Sequence, residues 1–215
     1  MSTIVGKYKL NWVEKSFMRA FPRSIPALDK TLLPKLRESF ARVFENEKEH
    51  ITDRQSQTHY IMCAYVLAAH QLLLAQGVNP EKSMEALTQS FGQFGAGWVK
   101  WSMRIAIRFR IYTRKYLESN TLKTIRARYG NTFSVQEEKE RDSYTLVVHK
   151  CGYHGFFLRH GHPELTPIFC QWDNIWSQEI NTRRSGINFK RPTTIAENKP
   201  HCRFEFHFEK PQSRD

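Results

Sequence analysis

"SYTLVVHKC", residues 143–151, is a run of β-branched and aromatic side chains closed by a cysteine, with Gly152 next. Such a run reads as a buried strand. It sits inside a change of texture that begins after Gly130. "TFSVQEE" (132–138), "INFKRPTTIAE" (187–197) and "CRFEFHFE" (202–209) share its character, with turn residues between them. In the last of these, Phe204, Phe206 and Phe208 fall on one face and Arg203, Glu205 and His207 on the other. Cys202 shares the Phe face, which points it inward. "ELTPIFCQWDNIWSQEI" (164–180) is the one helical insertion expected in this region.

Upstream the periodicity is helical. Residues 1–23 are basic and amphipathic. After Pro34, Leu36, Phe40, Val43 and Phe44 recur at helical spacing. "TDRQSQTHYIMCAYVLAAHQLLLAQG" (52–77) predicts a long helix capped by Thr52 or Asp53 and stopped by Gly77, with Cys63 in its apolar core. "NPEKSMEALTQSF" (79–91) predicts another, with Asn79 as N-cap and Pro80 at the first position. Glycines 92, 95 and 97 mark a bend or a close approach. From Trp98 to Tyr116 a strand-like alternation competes with a helical spacing of Trp98, Trp101, Ile105, Phe109, Tyr112 and Tyr116. The helix covers more residues and is favoured, with that aromatic stripe packed on the sheet.

Helices first and a sheet afterwards give an α+β class. The expected architecture is a helical half, about 1–128, packed on a mainly antiparallel sheet, about 130–210, as a single domain over 1–215.

The chain has 215 residues, 40% hydrophobic and 13% aromatic, enough for a substantial core and against disorder. Its net charge of +12 admits an anionic ligand, an anionic membrane surface or nucleic acid. Residues 100–128 hold nine basic side chains and one acid, Glu118, so a contact with an anionic surface through that stretch is one reading. Nucleic acid is disfavoured, and a homo-oligomer is left open. The longest apolar run, "IMCAYVLAAHQLLLA", contains His70 and Gln71 and falls short of the roughly 20 residues a bilayer span needs, so no transmembrane segment is expected. The opening "MSTIVGKYKLNWVEK" lacks the apolar core of a signal peptide. The four cysteines are therefore expected as reduced thiols in the cytoplasm.

Six of the nine histidines lie after residue 148, alongside Cys151, Cys170 and Cys202. Yet no CxxC or HExxH spacing appears, and zinc usually draws ligands from short-spaced pairs. The leading reading requires no metal or other cofactor, and leaves one bound by Cys, His and Asp side chains open. Cys170 and Asp173 are three apart on a predicted helix and share a face. A carboxylate beside a thiol raises the thiol's pKa, so the pair is not by itself a primed nucleophile. His154, three residues beyond Cys151, could hold that cysteine as thiolate. The plainer alternatives are a core Cys170, a surface Asp173 and an exposed strand residue at Arg191.

A resemblance adds to these readings. Cys151 with Gly152 and Tyr153, then "GHPELTPIFCQWD", "FKRPTTIAEN" and "CRFEF", in that order, resemble the L-2-amino-thiazoline-4-carboxylic acid hydrolase family. The strong part spans about 144–208, and the upstream helices fit more loosely. The sequence departs from the family pattern at "ENKPHC" and at His154. The resemblance implies hydrolytic opening of a cyclic thiazoline amino acid to a carbamoyl-cysteine, by cleavage of an amidine-like C–N bond. A relative acting on another amino-acid-derived small molecule in specialised metabolism is the same class. On this reading Cys151 or Cys170 is the nucleophile, His154 the base, and Asp173 the stabiliser of a substrate cation. Arg191, with Thr194, binds the substrate carboxylate. The alternative is a non-catalytic small-molecule binding module, because the late cysteines also look similar to vinyl-reductase-related ligand-binding domains.

Overall fold

The computed structural model describes residues 4–5, 8–182 and 185–208, with side chains from Leu10 onward. Parts of the basic opening segment, and Glu209 at the end of the last expected strand, lie outside the described residues.

Among the described residues the chain opens on two short antiparallel strands, β1 (Ile4–Val5) and β2 (Tyr8–Lys9). Helices α1 (Trp12–Ala20), α2 (Leu33–Asn46), α3 (Arg54–Ala75) and α4 (Pro80–Gln93) follow. Then α5 (Ala96–Arg108) and α6 (Arg114–Tyr129) lead into β3 (Ser134–Lys139) and β4 (Ser143–Lys150). Helices α7 (Gly152–Arg159) and α8 (Thr166–Ile180) precede β5 (Ile187–Lys190) and β6 (Cys202–Phe208). The class is α+β.

Two compact units emerge. The first takes the chain up to Phe94 together with Gly152–Gln171, and the second takes Gly95–Cys151 with the chain from Trp172 onward.

The first unit is built on caps and aromatic packing. Asp53 accepts from the Ser56 amide at 2.7 Å while Ser56 Oγ accepts from the Asp53 amide at 3.0 Å, so α3 starts in a capping box. Asn79 caps α4 by accepting from the Lys82 amide, with Pro80 at the first position. Asn11 and Glu14 form a second capping box on α1. Glu14 is wholly buried, and Arg54 (2.9 Å) and Thr58 (2.7 Å) donate to its carboxylate, which ties α1 to α3. Phe17 stacks on Phe21 at 4.9 Å and meets Phe91 and Tyr65 edge-on. α3 has 22 residues and a mean hydropathy of 1.2 over its most apolar window. It meets the length and apolarity of a membrane span, but 61% of that window is buried, as in the core helix of a globular unit. Cys63 lies in its buried face.

The second unit carries a four-stranded antiparallel sheet in the order β3-β4-β6-β5. The register sets Tyr144 against Phe206, Leu146 against Phe204 and Val148 against Cys202. A slip of one residue would turn each of these side chains to the opposite face. Tyr144, Leu146, Phe189 and Phe206 form the core with Met103 of α5, Leu117 of α6 and Ile180 of α8. The side chain of Asn181 pairs with the Phe189 backbone on edge strand β5, accepting its N–H at 2.6 Å and donating to its carbonyl at 3.0 Å. Cys202 is buried on the inner face, as the strand alternation predicts.

Three expectations need correction. The stretch 98–116 is helical but broken. Arg110 adopts φ 51°, and the Ile111 amide donates back to the Ala106 carbonyl at 2.8 Å. That is a left-handed helix stop with an arginine where glycine is usual. The aromatic stripe packs on the sheet only in part: Tyr112 lies against the sheet's core, but Trp98, Trp101 and Phe109 are 63%, 60% and 70% exposed. Met103 and Ile107, four residues apart, are buried instead. Finally, "GYHGFFLR" forms α7, a helix that two glycines and a short length hid from the periodicity. Gly95, at φ 73°, makes the expected bend between α4 and α5.

Candidate functional site

Asp173 and Trp176 lie one turn apart on the second unit's part of α8, and Arg191 follows the end of β5. Arg191 Nη1 donates to Asp173 Oδ2 at 3.0 Å, and Trp176 Nε1 donates to Asp173 Oδ1 at 3.2 Å. Both carboxylate oxygens are thus engaged. Trp176 stacks at 6.5 Å on Phe204 and at 6.2 Å on Phe206, which fixes its N–H. The Arg191 guanidinium lies 5.8 Å from the Phe204 ring centre, on its face.

Burial dominates the electrostatics. It pushes the Asp173 carboxyl up to about 6, against the charge of Arg191 and the hydrogen bonds from Trp176 and Arg191. Tyr129, the last residue of α6, has its phenol pKa raised first by burial. The charges of Asp173 and Cys151 push it the same way. One phenol therefore feels both a predicted nucleophile and the predicted carboxylate. Cys151 is half-buried at the end of β4. Burial also raises the Cys202 thiol, whose Sγ accepts from the Ile195 amide at 3.2 Å. A neutral, hydrogen-bonded thiol suits the core role expected of it.

The threonines divide unexpectedly. Thr194, the predicted binding residue, donates its hydroxyl to Glu197 at 3.0 Å. Its neighbour Thr193 has a buried hydroxyl with no partner among the described residues. An unmet buried hydroxyl two residues from Arg191 is a group that a ligand could satisfy.

His154 and Cys170 belong to the first unit. His154, in the first turn of α7, shares a 3.3 Å hydrogen bond with Thr166 at the start of α8. Cys170 is half-buried on α8. Two clefts open elsewhere. One is lined by Arg19, Arg23, Arg37 and Tyr65, and the other by Arg126, Gly130, Asn131 and Phe133. Neither is lined by Cys151, Cys170, Asp173 or Arg191.

The geometry sets a carboxylate against a guanidinium and an indole N–H, and keeps the Tyr129 phenol protonated in the field of Asp173 and Cys151. Tyr129 and Thr193 carry no motif that singles them out in the sequence. Only the position of Tyr129 before Gly130, a helix-ending glycine at φ 66°, marks it.

Residues 54–206 match the family model described as L-2-amino-thiazoline-4-carboxylic acid hydrolase. The chain belongs to that family. The matched stretch runs from the first residue of α3 into β6 and so spans the positions of Tyr129, Cys151, Asp173, Arg191 and Cys202. It also takes in helices that the sequence motifs tied only loosely to the family. No curated protein and no solved structure matches the chain.

Proposed function

We propose that this member of the thiazoline hydrolase family opens a small cyclic amino-acid derivative by hydrolysis of an amidine-like C–N bond. The observation that carries the reading is the Asp173–Arg191 pair. An amino-thiazoline carboxylate with its ring amidine protonated is a zwitterion. Its charges are the complement of that pair: amidinium to Asp173, carboxylate to Arg191. Above about pH 6 Asp173 is ionised and can hold the cation.

Binding the amidinium keeps the ring carbon electrophilic. Water then adds to that carbon, the ring C–N bond breaks, and the ring nitrogen takes up a proton. Substrate plus one water equals the carbamoyl-cysteine product, with no redox change. Burial keeps the Tyr129 phenol protonated, so it is assigned as a hydrogen-bond donor near the reacting groups and not as the acid that gives up its proton. Cys151 is assigned as the group that activates or precedes water at the carbon. This reading assigns no step to Cys170 or His154.

The test is direct. Purified protein incubated with L-2-amino-thiazoline-4-carboxylate should yield a carbamoyl-cysteine by mass spectrometry. Asp173→Asn and Arg191→Ala should each abolish it while circular dichroism stays unchanged. Substrate returned intact by the folded native protein, across pH 6–9, would refute the assignment and favour a binding module.

A further inference from the structure

His70, His162 and Glu164 each offer a ligand atom, and these atoms lie within 4.8 Å of one another in the first unit. They come from distant parts of the chain. His70 is in the buried face of α3, while His162 and Glu164 flank Pro163 just before α8. The two imidazoles meet edge to face with ring centres 5.5 Å apart.

The support around His70 is specific. Its Nδ1 shares a buried 2.8 Å hydrogen bond with Ser83 Oγ of α4. That bond fixes the ring and leaves Nε2 as the nitrogen that can bind an ion. Metal-binding histidines are oriented in this way by a partner on the other ring nitrogen. His162 Nδ1 lies 2.8 Å from Glu164 Oε1, so the carboxylate already sits beside the second imidazole. The group grades from interior to solvent, with His70 2% exposed and the side chains of His162 and Glu164 26% and 52% exposed.

We infer that His70, His162 and Glu164 form a divalent transition-metal site of the zinc class, with one coordination position open to solvent. Two imidazoles and a carboxylate are a ligand set that zinc takes in sites that keep a water. Ligand atoms around a tetrahedral ion sit roughly 3.4 Å apart, given metal–ligand bonds near 2 Å. Closing the present spread therefore requires modest rotation. The exposed Glu164 and the loop residue His162 can rotate, while His70 is held by Ser83. The site uses none of Asp173, Arg191 or Cys151, so its fate is separable from that of the proposed hydrolysis.

The test uses the full chain, stripped with chelator, reduced, and titrated with Zn²⁺ by calorimetry and with Co²⁺ by absorption. One ion per chain is expected, with visible tetrahedral Co²⁺ bands and no thiolate-to-cobalt charge transfer. His162→Ala and Glu164→Gln, both at the solvent side, should each weaken Zn²⁺ at least tenfold with the fold intact by circular dichroism. Ser83→Ala should weaken it about tenfold by releasing His70. No stoichiometric ion, thiolate charge-transfer bands, or affinity unchanged in both His162→Ala and Glu164→Gln would each overturn the site.

Discussion

Arg191 holds Asp173 at 3.0 Å, yet the Asp173 carboxyl stays at about 6 rather than falling below the usual carboxylate range. Burial outweighs the arginine. If the carboxylate form binds the substrate cation, kcat/KM should rise with pH through about 6. Asp173→Asn should lose activity and that limb together. A profile flat between pH 5 and 7 in the native protein would show that Asp173 does not titrate in the proposed reaction. The stability sign follows from the same shift. A raised acid pKa makes the folded state bind its proton first, so this group's penalty on folding is relieved as pH falls from about 6 toward the unfolded value.

Arg191→Lys keeps the charge and removes the planar fork. Charge-assisted hydrogen bonds contribute about 1.5–3 kcal/mol, so kcat/KM should drop roughly ten- to hundredfold. The loss should appear mainly in KM, read from initial rates. An unchanged KM would remove Arg191 from substrate binding.

Thr193→Val replaces the buried hydroxyl that lacks a partner among the described residues with an apolar group of similar shape. Thermal melting should show no loss, or a gain, because an unmet polar group is removed. KM should rise if the hydroxyl meets the substrate. A clear fall in melting temperature would mean that the hydroxyl is satisfied within the fold.

Glu47 is buried, and burial opposes its ionisation. Hydrogen bonds from His160 (3.0 Å) and Arg159 (3.1 Å from Nε) prevail, and its pKa lies below the ordinary value. A depressed carboxyl contributes stability that is present above its unfolded pKa and lost as pH falls through the folded one. Glu47→Gln should therefore destabilise more at pH 7 than at a pH well below the ordinary carboxyl pKa, by denaturant midpoints. Equal destabilisation at both pH values would exclude the ionic contribution.

Phe17→Ala, in the aromatic core of the first unit, should cost about 3–5 kcal/mol. Trp101→Ser should stay within about 0.5 kcal/mol, because its ring is on the surface. Urea unfolding distinguishes the two, and a large loss at Trp101 would show that its ring is covered in solution.

Local signals were readable where the physics is local. Asp53 and Asn79 announced α3 and α4 through their cap chemistry, and alternation on β6 turned Cys202 inward. The failures have equally local causes. In α5 the large aromatic rings carry the helical periodicity, but the buried stripe runs through Met103 and Ile107. α7 spans only two turns and holds Gly152 and Gly155, so no periodicity could establish it. At the candidate site, the family motifs singled out Asp173 and Arg191, but not that their side chains meet. Tyr129 and Thr193 stood out in no motif, because burial is a property of the folded chain. His70 and His162 are farther still from any sequence pattern, since their approach depends on where α3 and the loop before α8 come to rest.

The excursion of the chain through Gly152–Gln171 has a consequence for synthesis. The first unit includes that segment, so its core cannot close when Phe94 leaves the ribosome. Tyr60 must wait for Phe156, which lies 5.4 Å from it in the finished unit, and Glu47 for Arg159. By then β3 and β4 have already been made. A large part of the second unit's chain is therefore made before the first unit can close, and its β5 and β6 only afterwards.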